Sequence, residues 1–128
     1  MRIFKTRTFN RWAKREGLSS RELCRAIQEL RVGLIDARLG AGIIKKRIKR
    51  SGHGKRVSYR TLLATNQRDR WFFMFGFAKN ERDNIAGTEL EMLKRLATAL
   101  LGMDNLKIEE ALSRGELVEI DDGEQEIA

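Results

Sequence analysis

Three strand-like stretches follow one another in the middle of the chain, with only short polar turns between them. They span residues 43–50, 57–65 and 71–78, and the last of them reads WFFMFGFA. Strands joined by hairpin-length turns run antiparallel, because a parallel neighbour needs a long crossover connection. The stretch at 71–78 is apolar on both faces, which is typical of a strand in the middle of a sheet. These residues predict an antiparallel sheet.

Apolar residues at helical spacing precede these strands in the chain. Ser19 and Glu22 have the spacing of a capping box, and the apolar residues that follow predict a helix over residues 19–32. A shorter helix is predicted over residues 10–16, and it ends at Gly17, because glycine is favoured just after a helix.

A further helix is predicted after the strands. Thr88 and Glu91 have the spacing of a second capping box, and leucines continue at helical spacing as far as Gly102. We expect this helix to pack its leucines on the sheet. The other predicted elements are a strand over 2–9, a weaker helix over 106–114 and a terminal strand over 115–120. Helices and hairpins grouped in this way belong to the α+β class.

The length of 128 residues is enough for one domain that folds without disulfides or a structural metal. The single cysteine, Cys24, excludes a disulfide framework and a multi-cysteine zinc site. The N-terminal residues contain no apolar signal-peptide core, and no apolar run is long enough to cross a membrane. We therefore expect a cytoplasmic protein with no membrane partner.

The charged residues are divided unevenly along the chain. Residues 1–60 carry 18 Lys and Arg against 4 Asp and Glu, whereas residues 61–128 carry 8 against 14. Between Asp36 and Asp69 there is no acidic residue at all. A basic region of this kind predicts a polyanionic partner.

Metal-dependent hydrolysis is disfavoured in this basic region, because a two-metal nuclease needs clustered carboxylates and the region has none. The sequence also lacks the Walker A, HExxH and CxxC motifs. We expect no metal and no cofactor. Alternation along the first strand places Lys45, Arg47 and Lys49 on one face. Lys46 and Arg50 fall on the other face.

Cations alone can cut RNA, through attack of a ribose 2′-hydroxyl on the adjacent phosphate. The reaction needs a base, a group that stabilises the charged phosphorane and an acid for the leaving oxygen. Crowded cations lower one another's pKa, so that a lysine can act as the base, whereas an arginine stays charged and binds phosphate oxygens. Arg60, on the paired strand, can sit opposite these cations. A plain phosphate-binding face is the simpler interpretation of the same residues.

Other residues near these strands can contact RNA, although they also have purely structural interpretations. His53 suits proton transfer by its pKa but lies in a glycine-flanked turn. Tyr59 can stack on a base or pack within the sheet. The candidate RNA-binding residues are Lys46, Lys49, Arg50, His53, Lys55, Arg56 and Tyr59.

Three motifs carry a resemblance to a known family: LGAGIIKKRI at 39–48, SYRT at 58–61 and GFAKNER at 76–82. Together they resemble the RelE/ParE superfamily of bacterial type II toxin–antitoxin toxins, and most closely its HigB-like branch. The resemblance implies a RelE-like curved antiparallel sheet with two N-terminal helices and a C-terminal helix packed on it. We expect a toxin domain over 1–102 and an acidic C-terminal extension over 103–128, partly helical with a frayed end.

The resemblance also implies a function and a set of functional residues. It implies a metal-independent endoribonuclease that cuts mRNA in the ribosomal A site and is inhibited by a cognate helix-turn-helix antitoxin. Lys45 or Arg47 would abstract the proton, and Arg60 would stabilise the phosphate. Asn80 and Ala86 stand where the RelE pattern has an arginine and a tyrosine. The implied catalytic residues are Lys45, Arg47, Arg60, Lys79 and Arg82.

Two other functions fit the same sequence. A ParE-like toxin that inhibits gyrase rather than cutting RNA agrees with the missing arginine and tyrosine. A non-catalytic basic protein that binds nucleic acid agrees with the charge pattern alone.

Overall fold

The computed structural model describes residues 1–52 and 55–121 of the chain, and of residues 50–52 and 55–56 it describes the backbone alone. This part of the chain forms six strands and four helices. In chain order they are β1 (Arg2–Thr6), α1 (Arg7–Glu16), α2 (Ser20–Arg31), β2 (Ala37–Gly40), β3 (Ile43–Gly52), β4 (Lys55–Thr65), β5 (Arg70–Ala78), α3 (Gly87–Leu101), α4 (Asn105–Ser113) and β6 (Leu117–Ile120).

The strands form one sheet in the order β2-β3-β4-β5-β1-β6. Neighbouring strands are antiparallel except β1 and β5, which are parallel. The predicted antiparallel hairpins from β3 to β5 and the α+β class are confirmed. β5 lies inside the sheet, and its residues 71–74 are buried, as its apolar sequence predicts. The architecture is compatible with a RelE-like fold.

Helices α1 and α2 cover one face of the sheet. Thr6 ends β1 because its side chain caps α1, accepting a hydrogen bond from the Phe9 N–H at 3.2 Å. The prediction of a strand over 2–9 is therefore wrong at its end. α2 has the predicted capping box between Ser19 and Glu22. Its apolar stripe packs on the apolar residues that β3, β4 and β5 present to this side.

Helices α3 and α4 cover part of the opposite face. They pack on apolar residues of the sheet that include Phe4, Leu62 and Phe72. β6 pairs with β1 and adds Leu117 to this second core. Arg47, further along β3 on the same face, is exposed. The helices therefore leave one end of this face open.

The cap of α3 differs from the prediction. α3 begins at Gly87, with Ala86 as its N-cap residue, so the capping box expected at Thr88 and Glu91 is wrong. Glu89 accepts the hydrogen bond from the Ala86 N–H at 3.0 Å instead. The cap therefore lies two residues earlier than the sequence spacing suggested.

The stretch over residues 34–42, which the sequence predicts to be a connection, contains the short strand β2. This strand pairs with the start of β3, with an irregularity between Arg38 and Gly40. Gly40 and Gly42 have positive φ angles of 89° and 80°, which glycine adopts at the lowest cost. The glycines that make this tight reversal possible are the same residues that signal a loop.

None of the helices in the described ranges is long and apolar enough to span a membrane. Two expectations fall outside those ranges. They concern the predicted frayed end, from residue 122 onward, and residues 53–54 of the predicted turn that contains His53.

The contact between α1 and β5 tests this packing. Gly76 lies against Trp12, and a Cβ built at Gly76 would stand 2.3 Å from the indole ring. Trp12 also packs edge-on against Tyr59, so the ring has little room to move. Gly76→Ala should lower the free energy of unfolding by about 1–3 kcal/mol, as overpacked cores do, in urea denaturation.

Gly87→Ala is the matched control. No atom lies within 4 Å of the Cβ position of Gly87, which is the first residue of α3. Because alanine is the better helix former, this change should leave the stability unchanged or raise it slightly. Equal losses for the two variants would contradict the packing of α1 on β5.

Candidate nucleic-acid interface

The two faces of β3 have different chemistry, as the alternation of its sequence predicts. The side chains buried on the α2 side are those of Ile44, Lys46 and Ile48. The side chains on the opposite side are those of Lys45, which is half-buried, and of Arg47 and Lys49, which are exposed. A row of cations therefore lies on the face that α3 and α4 leave open.

The pairing of β3 with β4 adds another cation to this face. Arg47 is opposite Arg60 in β4, and Arg60 is opposite Phe77 in β5. The Arg47 N–H donates to the carboxylate of Asp36, on the β2 side, so it points away from β4. Arg47 and Arg60 therefore form a non-hydrogen-bonded pair, the type in which opposed side chains approach most closely.

A second row crosses the sheet beside the first. Lys49 is opposite Ser58 in β4, and the Ser58 carbonyl accepts a hydrogen bond from the Lys79 N–H at 2.9 Å. The Ser58 hydroxyl also accepts a hydrogen bond from the Arg60 guanidinium at 2.9 Å, which orients that side chain. The hollow at this end of β5 has a volume of about 370 Å³ and is lined by Val57, Ser58, Lys79 and Asn80.

These cations have no counter-ions among the described residues. We define the cationic face as Lys45, Arg47, Lys49, Arg60 and Lys79. Apart from the bond between Arg60 and Ser58, their side chains make no hydrogen bond or ion pair within the described part of the chain. By contrast, Arg2 at the other end of the sheet is held by two glutamates. Uncompensated cations gathered on one surface attract phosphate groups.

Arg82, predicted to be catalytic, is held by other groups. Its guanidinium donates to both carboxylate oxygens of Glu89, and its Nε donates to the Asn84 carbonyl at 3.1 Å. It also lies over the rings of Phe75 and Phe77, 5.7 and 5.2 Å from their centroids. Arg82 thus covers the aromatic part of this surface, and three of its five N–H donors are occupied.

Two predicted RNA-binding residues lie on the other side of the sheet. Lys46 is 6% exposed, and its ammonium group pairs with Glu29 at 2.7 Å and donates to the Leu34 carbonyl at 3.1 Å. Tyr59 is 2% exposed, and Trp12 meets its ring edge-on. The sheet therefore separates both side chains from an RNA strand on the cationic face.

The remaining predicted residues are described only in part. The backbones of Arg50, Lys55 and Arg56 continue β3 and β4, while their side chains are outside the described part of the structure. His53 lies outside it altogether.

Three residues at this surface were not selected from the sequence. Ser58 is two residues before Arg60, so strand alternation could have placed the two side chains together. Phe77 belongs to the apolar stretch predicted for the middle of the sheet, and it is buried, but the Arg82 guanidinium contributes to its cover. Glu89 carries no local signal, because its role depends on a contact with a residue seven positions earlier.

The surface offers phosphate-binding chemistry. Arginine donates paired hydrogen bonds to phosphate oxygens, and lysine supplies a mobile charge and a transferable proton. Within residues 1–52 and 55–121 there is no group of three His, Cys, Asp or Glu side chains that could hold a metal ion.

The fold and the cationic face define a small α+β protein with a cationic surface on its sheet. Residues 1–120 match the protein family described as the RelE toxin of the RelE / RelB toxin-antitoxin system. Because the match spans nearly the whole chain, the protein belongs to the RelE toxin family. Members of this family are toxins of toxin–antitoxin systems, generally endoribonucleases, and have an antitoxin partner. A search of curated proteins gave no match.

Lys46 and Lys49 give a paired test of the two faces of β3. Lys46→Ala removes a buried ammonium group and leaves the Leu34 carbonyl without its donor. It should lower the free energy of unfolding by about 1–3 kcal/mol, the cost of losing charged hydrogen bonds. Lys49→Ala removes an exposed cation and should change the free energy of unfolding by less than about 0.5 kcal/mol. Similar losses in urea denaturation would contradict the opposite placement of these side chains.

The contact between Arg82 and Glu89 predicts a pH dependence of stability. The Arg82 guanidinium, helped by the Ala86 N–H, holds the pKa of the Glu89 carboxyl below its ordinary value. Because this pKa is lower in the folded than in the unfolded protein, the ionised carboxylate stabilises the fold at pH values above the unfolded pKa of about 4.3. The stabilisation is lost as the pH falls through the pKa of the folded state. Glu89→Gln should therefore lower the urea midpoint near neutral pH, by an amount that shrinks on acidification.

Glu91→Gln is the control for this pH series. Glu91 is exposed, and among the described residues its side chain makes no polar contact beyond a 3.6 Å ion pair with Lys94, one helical turn away. Its replacement should change the urea midpoint only slightly at every pH. A decrease of the urea midpoint in Glu89→Gln that stays constant from neutral to acid pH would contradict the role of the carboxylate charge.

Proposed function

We propose that this protein is a ribosome-dependent mRNA endoribonuclease that inhibits translation and needs no metal. The observation that carries the proposal is the cationic face, where five Lys and Arg side chains lie together without a counter-ion in the described part of the chain. Such a surface binds the phosphates of an RNA backbone. The motifs on its strands support a place in the HigB-like branch of the family.

The proposed reaction is attack of a ribose 2′-oxygen on the neighbouring phosphorus. The 2′-hydroxyl gives its proton to a base, a bond forms from the 2′-oxygen to phosphorus, and the bond from phosphorus to the 5′-oxygen breaks. The 5′-oxygen takes a proton from an acid. The products are a 2′,3′-cyclic phosphate and a 5′-hydroxyl, so the atoms balance without water or an external reagent.

The geometry supports a division of roles. Arg60 is oriented by Ser58 and lies at the centre of the face, where it would stabilise the charge of the phosphorane. Of the two candidates for the base, Lys45 is the better choice than Arg47, because a guanidinium does not give up its proton in proteins. Arg47 and Lys79 would hold the flanking phosphate oxygens. Arg82 would act by holding Phe75 and Phe77 in place.

Ribosome dependence is supported by what the surface lacks among the described residues. Tyr59 is buried, and Ala86 occupies the position where the RelE pattern has a tyrosine. The described part of the face therefore offers phosphate contacts but no aromatic side chain free to stack on a base. An external scaffold that presents mRNA in one fixed conformation would supply that missing positioning. We propose the ribosomal A site as the scaffold and a helix-turn-helix protein as the antitoxin.

A second candidate function is a ParE-like toxin that inhibits gyrase. Asn80 and Ala86, at the positions of the RelE arginine and tyrosine, favour it. The two functions differ in their target, since one leaves cut mRNA and the other leaves DNA damage with intact mRNA.

The cleavage proposal predicts the effect of two substitutions. Arg60→Ala and Lys45→Ala should each lower the rate of cleavage of ribosome-bound mRNA by at least about 100-fold, the usual loss for a charge-stabilising or proton-transferring group. Primer extension on translated mRNA measures the rate. The same variants should no longer arrest growth when they are expressed.

Arg95→Ala is the matched control, because it removes an exposed cation of α3 that does not belong to the cationic face. It should cut at the rate of the unaltered protein. Cleavage by Arg60→Ala at that same rate would contradict the proposed site. Growth arrest with intact mRNA and induced DNA damage would instead select the gyrase-inhibiting alternative.

A further inference from the structure

A groove lies at the outer edge of β5, beyond the cationic face. β1 pairs with β5 only as far as Lys5 and Phe73, because the chain turns into α1 after Thr6. Residues 74–76 of β5 therefore have no described strand beside them on this edge. α1 borders the gap, and the resulting groove has a volume of about 350 Å³.

The wall of this groove is cationic and its floor is apolar. Arg11 and Arg15 line the wall, one helical turn apart on α1, and neither side chain bonds to another described residue. The other lining residues are Thr8, Phe9, Trp12, Met74, Phe75 and Gly76. None of the described lining residues carries a negative charge.

The groove continues the line of the cationic face. The row from Arg47 through Arg60 to Phe77 crosses the sheet toward this edge of β5. Phe75 lines the groove, and its ring centroid is 6.1 Å from that of Phe77. A strand of RNA laid along the row would leave the sheet beside Phe75 and turn round this open edge of β5 to meet α1, which covers the opposite face.

We propose that this groove binds the nucleotides that flank the cleaved bond, with Arg11 and Arg15 on neighbouring phosphates and a base over the apolar floor. The inference rests on the proposed function and extends it to a second part of the same RNA strand. Side chains one helical turn apart have Cβ atoms about 5–6 Å from each other, a spacing that neighbouring phosphates of a single strand can match. Contact with an apolar floor favours any base, because the hydrophobic effect has no directional requirement.

An acidic segment of the antitoxin is the other occupant that the charges allow. The continuity with the cationic face favours RNA, because one strand then satisfies both sets of unpaired cations. A peptide in the groove would leave the row at Arg47 and Arg60 without a partner.

The test is the binding of labelled oligouridylates of increasing length, measured by fluorescence anisotropy across a salt series. Arg11→Ala combined with Arg15→Ala should weaken binding of the longer oligomers about tenfold and reduce the slope of log affinity against log salt by about 1.4, as expected for two lost phosphate contacts. The shortest oligomers, which the cationic face alone can hold, should bind unchanged. Thr8→Glu, which places a carboxylate in the groove at a helix start that favours acids, should act in the same direction.

Arg21→Ala combined with Arg31→Ala is the control, because it removes the same charge from exposed positions of α2 outside the groove. Equal losses of RNA affinity from both double variants, or a loss that does not depend on oligomer length, would overturn the proposed RNA site in the groove. Either result would leave the proposed cleavage activity standing. Loss of antitoxin affinity with unchanged RNA affinity would assign the groove to the antitoxin and also overturn the inference. An unaltered protein that binds no oligouridylate and cuts no ribosome-bound mRNA would overturn the proposed function itself.

Discussion

The burial of Lys46 against Glu29 beneath α2 is the contact on which the surface chemistry of this protein depends. Successive side chains of a strand point to opposite faces, so holding Lys46 and its apolar neighbours under α2 directs Lys45, Arg47 and Lys49 to the other side. A shift of the register by one residue would reverse both sets. Only this register buries Ile44 and Ile48 under α2 and also gives Lys46 a carboxylate partner.

The cationic face carries an energetic cost that the rest of the sheet must offset. Arg47 and Arg60 stand directly opposite each other, and like charges in that position destabilise a strand pair. The cores on both sides of β4, which include Leu62 and Leu63, hold the pair in register. A bound phosphate would remove the repulsion, so the same residues that weaken the free protein would favour the proposed complex with RNA. A conflict between local stability and global fold is typical of a functional surface.

The sequence predicted the features that depend on local pattern. The capping box at Ser19, the two-residue alternation of β3 and the hairpin order all follow from neighbouring residues, and the structure confirms them. The ion pair of Lys46 with Glu29, the pairing of Arg82 with Glu89 and the parallel contact of β1 with β5 depend on residues that the chain brings together only on folding. No period or motif in the sequence reports such contacts, so alternation assigned the side chains of β3 to two faces but could not show which face a helix covers.

The chemistry of the cut ends tests the central claim most directly, namely that the cationic face cleaves mRNA through the ribose 2′-hydroxyl. Translating ribosomes are incubated with the purified protein, and the ends of the mRNA fragments are identified. The account predicts 2′,3′-cyclic phosphate and 5′-hydroxyl ends that disappear when Arg60 is replaced by alanine. Fragments with 3′-hydroxyl and 5′-phosphate ends, the products of attack by water, or intact mRNA on ribosomes that carry the protein, would contradict it.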